Sequence, residues 1–188
     1  MARIPYPDKE SLPSEVGAVL DQMPPSAPID MVAHSPAIAL APLRTTQAQF
    51  TSLEVSERDR EIVILTVATL TECEYEWTKH VAMSEAVGVS PAARESIRSR
   101  DFGADTLTPR DRLTITFVTD VIATPRVTDR VFAEVREAYT PRQIVELIRL
   151  VGFYWAFARF CTTLDVELDK EEPGDLGAFS AVSHMDIS

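Results

Sequence analysis

The stretch that decides the fold is residues 60–90, which read R-E-I-V-I-L-T-V-A-T-L-T-E-C-E-Y-E-W-T-K-H-V-A-M-S-E-A-V-G-V-S. It opens with a nearly unbroken apolar run, and the more polar residues 72–80 follow. If this second part is helical, spacings of three and four residues place four side chains on one face: Cys73, Glu76, Trp77 and His80. These groups would lie against the core, where burial and mutual charge shift pKa values. The stretch therefore predicts a functional site without indicating its substrate.

The length and composition are those of an ordinary globular domain. The chain has 188 residues, of which 45% are hydrophobic and 25% are charged. We expect a single domain over residues 1–165, in which residues 1–34 form an N-terminal extension with a short helix. Residues 166–188 are rich in acids and are predicted to form a solvated acidic tail.

The charge, the apolar runs and the cysteines indicate which partners and which cellular compartment to expect. The formal net charge is −11, which disfavours nucleic acid as a partner because its phosphates require a basic surface. The N-terminus lacks the apolar segment of a signal peptide, and the longest apolar runs are too short to span a membrane. The two cysteines, Cys73 and Cys161, are far apart in the sequence and indicate no disulfide framework. We therefore expect a cytoplasmic protein without a membrane partner.

Helix-start signals recur along the chain, and no segment shows the alternation that is typical of strands. Helices are predicted to begin at serine or threonine caps, often followed by proline, near Ser14, Ser35, Ser56, Ser90, Thr108, Thr128 and Thr140. Another helix is predicted from Glu72 to Gly88, where glycine suits a left-handed cap. The prolines within residues 24–28 predict a loop, and Pro42 predicts a kink or a restart. The chain is therefore predicted to be all-α.

The last predicted helix, from Pro141 through roughly Leu164, is apolar nearly all round. A helix of that kind is buried, either in the core of its own domain or against another subunit. A small helical domain cannot easily cover every face of such a helix, so we expect a homo-oligomer.

Glu61, Glu76 and His80 are the candidates for acid/base chemistry. Glu76 and His80, four residues apart, can hydrogen-bond and so poise the imidazole; alternatively they form a surface pair, or Lys79 binds the carboxylate. Glu61 falls in the first turn of its predicted helix, where an acid also favours the helix dipole. With a turn near residues 70–72, Glu61 lies roughly 15 Å before the turn and His80 about 13 Å after it. Their side chains can therefore meet.

Cys73 is either a nucleophile or a small buried hydrophobic residue. A reactive cysteine must form a thiolate, and the nearby carboxylate of Glu76 disfavours that ion. Redox cycling would also need a resolving thiol, for which Cys161 is the sole candidate. Thiol chemistry is therefore disfavoured.

The histidines give no sign of a metal site. Neither an H-x3-H spacing nor a cluster of cysteine and histidine occurs, and His34 and His184 are remote from His80 in the sequence. From the sequence pattern alone, His34 is interpreted as a loop or core histidine. We expect no metal.

Residues 60–90, with C-E-Y-E-W-x-x-H at their centre, resemble the core motif of the carboxymuconolactone decarboxylase family. Its superfamily also contains the alkyl hydroperoxidase D (AhpD) proteins. The similarity extends upstream to A-H-S-P, which includes His34, and downstream through residues 127–160. The resemblance implies an AhpD-like helical bundle that assembles as a homo-oligomer, with sites near the subunit contacts.

The peroxidase branch of that superfamily carries E-x11-C-x2-C-x3-H, a glutamate–thiol–histidine proton relay that serves a redox dithiol. In this sequence Glu61, Cys73 and His80 match the first, second and fourth positions. Glu76 stands where the relay has its second cysteine. This departure disfavours peroxidase activity but leaves a Glu61–His80 acid/base pair intact.

The resemblance implies a carboxymuconolactone decarboxylase-like enzyme, a carbon–carbon lyase that uses no cofactor. Its substrate would be a small organic acid, lactone or carbonyl compound, with His80 as the general acid/base. Glu61 and Glu76 would orient His80 or share its protons, and Cys73 completes the catalytic candidates. The candidates for substrate contact are Tyr75, Trp77 and His34. Two alternatives stay open: an AhpD-like thiol peroxidase or reductase, and a non-catalytic oligomeric binding protein.

Overall fold

The computed structural model describes residues 1–23 and 25–169. Within these residues there are nine α-helices, one 3-10 helix and no strand, which confirms the all-α prediction. The 3-10 helix is Lys9–Ser11, and the α-helices are α1 (Ser14–Leu20), α2 (Ala27–Val32), α3 (Pro36–Thr51), α4 (Glu57–Thr71), α5 (Glu74–Ala86), α6 (Pro91–Arg98), α7 (Pro109–Ala123), α8 (Asp129–Ala138) and α9 (Pro141–Leu164). Most of the predicted acidic tail, residues 170–188, lies outside the described residues.

The chain forms two compact units, Met1–Ser52 with the described residues from Cys161 onward, and Leu53–Phe160. The first unit has its own small core, built from Val16, Leu20, Ala33 and Ala39. Its N-terminal segment is held by a hydrogen bond from the Arg3 amide to the Leu164 carbonyl, 2.8 Å long. The single-domain boundary at residue 165 stays a prediction.

The second unit is organised around α4, which is buried on nearly all sides from Asp59 onward because residues 62–70 are apolar or threonine. One side of α4 packs into a core cluster shared with α7, α8 and α9, through Val63, Ile64 and Val67. Another side, through Ile62 and Leu65, packs into a second cluster shared with α6 and α7. The polar side chains of α4 that are buried in this unit, which are those of Asp59, Arg60, Glu61, Thr66, Thr69 and Thr71, are therefore removed from water.

The helices start near the predicted caps, but the capping interactions differ. Ser35 and Thr128 make no side-chain capping hydrogen bond, and Ser14 lies inside α1. Thr108 and Asp111 form a complete capping box at the start of α7. At the start of α4, Ser56 accepts a hydrogen bond from the Asp59 amide, but the Asp59 carboxylate binds Arg110 instead of completing the box. The predicted capping pattern is thus one-sided at α4, because a cation from α7 competes for the acid.

The turn between α4 and α5 differs from the prediction. Glu72 ends α4 in the left-handed conformation, with φ of 58°, and α5 begins only at Glu74. Cys73 is therefore the N-cap residue of α5, and the prediction that it shares a helical face with Glu76 is wrong. The left-handed cap predicted at Gly88 is confirmed by its φ of 83°.

Two predictions about proline need correction or refinement. Pro28 does not lie in a loop, since it occupies the first turn of α2, where its missing N–H is not needed. Pro42 lies inside α3, which continues through it without restarting.

The last helix, α9, is not buried all round. Leu147, Leu150 and Tyr154 lie in the core, whereas the apolar side chains of Val145 and Trp155 are 60% and 42% exposed. The core of this chain therefore covers only part of α9. Burial of its exposed side against another subunit stays a prediction, as does homo-oligomerisation. None of the described helices combines the length and the apolar character that crossing a membrane requires.

Candidate active site

Glu61 and His80 meet inside the second unit. The Nδ1 atom of His80 lies 2.7 Å from Oε2 of Glu61, and neither residue has exposed surface. Glu61 is in the second turn of α4, not in the first turn as predicted, so the helix dipole does not account for this acid. The pairing requires α4 and α5 to pack side by side, which their two-residue connection and apolar contacts produce.

Arg60 holds the other oxygen of the Glu61 carboxylate. Its Nε donates to Oε1 of Glu61 over 3.1 Å, and its own side chain is almost fully buried. Burial alone would raise the pKa of Glu61, but His80 and Arg60 outweigh burial and hold this pKa below the usual value. Glu61 is therefore an ionised acceptor, and His80 donates to it from Nδ1.

Glu76 lies one turn before His80 on α5, but the predicted hydrogen bond between them is absent. Both carboxyl oxygens of Glu76 are buried, and neither has a hydrogen-bond partner among the described residues. Glu61 binds Nδ1 of His80 in its place, and the Lys79 ammonium lies 5.5 Å from the Tyr75 ring centre. Burial, and secondarily the charge of Cys73, raises the pKa of Glu76 well above the usual value. Glu76 thus keeps its proton to a higher pH than an ordinary glutamate.

Tyr154, which was not predicted from the sequence, belongs to the same buried cluster as Glu61, Glu76 and His80. Its ring meets the His80 ring edge-on, with centroids 5.5 Å apart, and its hydroxyl is buried with no hydrogen-bond partner within the described part of the chain. Burial, followed by the charges of Glu61 and Glu76, raises the pKa of Tyr154 well above the usual value. The sign of Tyr154 in the sequence is a tyrosine hydroxyl among the otherwise apolar residues of α9.

Cys73 is next to this cluster, at the start of α5, and is 1% exposed. Of the described residues, the two cysteines Cys73 and Cys161 are buried thiols that form no disulfide.

Two of the three predicted substrate contacts, Tyr75 and Trp77, lie in the second unit and pack against different neighbours. Tyr75 is buried and packs against Phe157, with ring centroids 6.1 Å apart. Trp77 packs against the cluster that contains Ile62, and the Arg98 guanidinium lies 4.8 Å from its ring centre.

His34 belongs to the first unit. Its Nε2 atom is 2.8 Å from the carbonyl oxygen of Pro5, so the ring fixes the N-terminal segment of that unit. A cavity of about 200 Å³ also belongs to this unit and is lined by Lys9, Asp21 and Asp30, among others. It contains none of the cluster residues. Within residues 1–23 and 25–169, no three histidine, cysteine, aspartate or glutamate side chains are grouped so that they could hold a metal ion.

One protein-family model matches a segment of this chain that includes four of the predicted site residues. The family model of the carboxymuconolactone decarboxylase family matches residues 36–98, which include Glu61, Cys73, Glu76 and His80. No curated protein matches the chain.

Several solved structures share the fold. A peroxidase-related protein from Ralstonia eutropha JMP134, described as an alkylhydroperoxidase AhpD core, aligns with a TM-score of 0.73 at 19% identity, covering 89% of this chain and 92% of that one. A peroxidase-related protein from Silicibacter sp. TM1040 gives 0.75 at 18% identity, covering 93% and 94%. A protein of unknown function from Agrobacterium tumefaciens gives 0.66 at 19% identity, covering 78% and 100%. The predicted resemblance is confirmed: residues 36–98 carry the carboxymuconolactone decarboxylase family segment, and the chain has the AhpD-like fold.

Proposed function

We propose that this chain is a carboxymuconolactone decarboxylase-like enzyme that moves protons on a small organic acid, lactone or carbonyl compound without a cofactor. The observation that carries the proposal is the fully buried contact between His80 Nδ1 and Glu61 Oε2, 2.7 Å long. A histidine whose one nitrogen is fixed by a carboxylate works through its other nitrogen in a defined tautomer. Here that assigns proton exchange with the substrate to Nε2 of His80.

Arg60 and burial support this assignment. Because Arg60 holds Oε1 of Glu61, the carboxylate cannot rotate away from His80 without breaking a second charged hydrogen bond. Burial weakens the screening of charge, so the ionised carboxylate acts strongly on the imidazole. The result is a preorganised acid/base group, which typically contributes about 10²–10⁴-fold to a proton-transfer rate.

This arrangement suits a decarboxylation in which the carboxylate is lost from a carbon that lies next to a carbonyl group. The carbon–carbon bond to the carboxylate breaks, its electron pair forms an enolate, and carbon dioxide leaves. Protonated His80 then delivers a proton to the carbon, and solvent restores the proton to His80. The step needs no oxidant or reductant.

The complete burial of Glu61 and His80 means that substrate enters only when neighbouring side chains move. We also propose that the enzyme is cytoplasmic and homo-oligomeric. Exposed apolar side chains on α8 and α9, those of Phe132, Val145, Ile148 and Trp155, support the second of these statements.

A thiol peroxidase is the second candidate, and two observations favour it. Two of the solved structures with this fold are peroxidase-related proteins. Cys73 also lies beside the cluster at a helix N-terminus, a position that favours a thiolate in general. Against it, the neighbour three residues on is Glu76, which cannot form a disulfide with Cys73.

One experiment separates these candidates. Wild type and His80→Asn are supplied with a carboxymuconolactone and with oxaloacetate, and released carbon dioxide is measured. Consumption of an organic hydroperoxide with a dithiol donor is measured in parallel. We expect carbon dioxide release by the wild type that falls about 10²-fold or more in His80→Asn. Hydroperoxide consumption without carbon dioxide release would support the peroxidase, and ligand binding without any turnover would support a binding protein.

A further inference from the structure

Two buried polar groups beside His80 make no hydrogen bond within the described residues: the hydroxyl of Tyr154 and the carboxyl of Glu76. A buried tyrosine that serves only the fold normally has a partner for its hydroxyl. Tyr139 of the same unit is an example, since its hydroxyl is 2.7 Å from Oγ1 of Thr114. The cluster around His80 therefore leaves hydrogen-bonding capacity unused at two adjacent places.

The two groups flank the imidazole. Glu76 precedes His80 by one turn of α5, so their side chains lie on neighbouring positions of one helical face. Tyr154 comes from α9 and contacts the His80 ring edge-on, with centroids 5.5 Å apart. Both side chains are therefore neighbours of the imidazole.

We propose that Tyr154 and Glu76 form an oxyanion-binding pair, which receives the carbonyl oxygen of an enolisable substrate while His80 acts on the adjacent carbon. The inference rests on the proposed function and narrows its substrate class to compounds with a carboxylate on the carbon next to a ketone or lactone carbonyl.

The chemistry requires donors that stay neutral. When the bond to the leaving carboxylate breaks, its electron pair forms a carbon–carbon double bond and the carbonyl pair moves onto oxygen. Tyr154 and Glu76 each donate a hydrogen bond to that oxygen, and His80 then protonates the carbon as the pair returns. Burial raises the pKa of both donors, so both keep the proton that they must donate. A phenol and a neutral carboxylic acid in an apolar site stabilise an enolate in this way.

The test uses 4-nitrophenol, whose phenolate resembles an enolate and has its own visible absorbance. Binding to the full-length protein is followed by difference absorbance in wild type, Tyr154→Phe, Glu76→Leu and Glu76→Gln. We expect phenolate binding by the wild type that weakens about tenfold or more in Tyr154→Phe and in Glu76→Leu. Glu76→Gln keeps an N–H donor and should retain most of the binding. Both of the weakened variants remove a buried group without a partner, so both should fold.

Tyr139→Phe is the matched control, because it removes a tyrosine hydroxyl that has a protein partner. It should lower the melting temperature and leave phenolate binding unchanged. No phenolate binding by the wild type, or wild-type binding by both Tyr154→Phe and Glu76→Leu, would overturn the oxyanion pair. Failure of the proposed function is seen separately, as turnover that survives in His80→Asn. That variant retains both donors and should still bind phenolate.

Discussion

The two ends of the buried polar network around α4 are built differently. At the start of α4, each buried acid is matched by an arginine: Asp111 binds Arg58 over 2.7 Å, and Asp59 binds Arg110 over 2.9 Å. One turn further on, Glu61 is matched in the same way, but Glu76 beside it has no partner among residues 1–23 and 25–169. The same helix thus joins a completed ion-pair network to an incomplete cluster.

The difference separates groups that stabilise the fold from groups that are kept for chemistry. Removing one partner of a completed pair leaves a buried charge and destabilises the fold. Buried groups without partners cost stability, and proteins keep them mostly at functional sites. The incomplete cluster is therefore the better candidate for the site, and the completed network is its scaffold. Substitutions in the two regions should have opposite effects on stability.

The largest effect on stability is expected from breaking the completed network. Asp111→Ala removes the carboxylate that binds Arg58 and also the capping box of α7. We expect the free energy of unfolding to fall by about 2–4 kcal/mol in urea titrations. Glu134→Ala, which breaks the exposed pair with Arg130, should change it by less than about 0.5 kcal/mol. Equal losses in the two variants would remove the distinction between the regions.

The incomplete cluster should show the opposite sign. Glu76→Leu removes a buried carboxyl without a partner, and we expect a gain of about 1–2 kcal/mol near neutral pH. The pKa of Glu76 is raised in the folded protein, so its contribution to stability is fully present below the usual glutamate pKa and is lost as pH rises toward the folded pKa. Because leucine does not titrate, Glu76→Leu should not show this loss of stability as pH rises.

Glu61 gives the reverse pH dependence. Its folded pKa is lowered, so its contribution is present above the usual glutamate pKa and is lost as pH falls through the folded pKa. In urea titrations between about pH 4 and 8, Glu61→Gln should therefore become less stable relative to the wild type as pH rises, whereas Glu76→Leu should become more stable relative to it. A change of the same sign in both variants would contradict the assigned ionisation states.

The smallest effect is expected at Cys73. Cys73→Ser places a hydroxyl in a buried position and should cost about 1 kcal/mol of stability while turnover remains measurable. If the wild type reduced an organic hydroperoxide with a thiol donor and Cys73→Ser did not, the non-redox account of the cluster would be wrong.

Much of the fold could be predicted from the sequence because helix ends depend on local chemistry. The serine and threonine caps before Pro91, Pro109 and Pro141 mark the starts of α6, α7 and α9 at the observed residues. The exposed face of α9 could not be predicted, because composition does not show which neighbours cover a helix.

The cluster was predictable only in part. The spacing within residues 60–90, together with the family resemblance, brought Glu61 and His80 together, because both lie on consecutive helices. Tyr154 could not be found in this way, since its place beside His80 depends on how α9 packs against α5. Glu76 has no hydrogen-bond partner among the described residues, and this too depends on tertiary packing, because Glu61 occupies the Nδ1 atom of His80.

The most direct test of the account compares two glutamates one turn apart on α4. Glu57 is exposed in the first turn, whereas Glu61 is buried against His80. With the substrate found by carbon dioxide release, kcat/KM should fall about 10²-fold or more in Glu61→Gln and stay at the wild-type value in Glu57→Gln. Both variants should keep the helical circular-dichroism signal. Near-wild-type kcat/KM in a folded Glu61→Gln would contradict the account and would place the chemistry elsewhere in the chain.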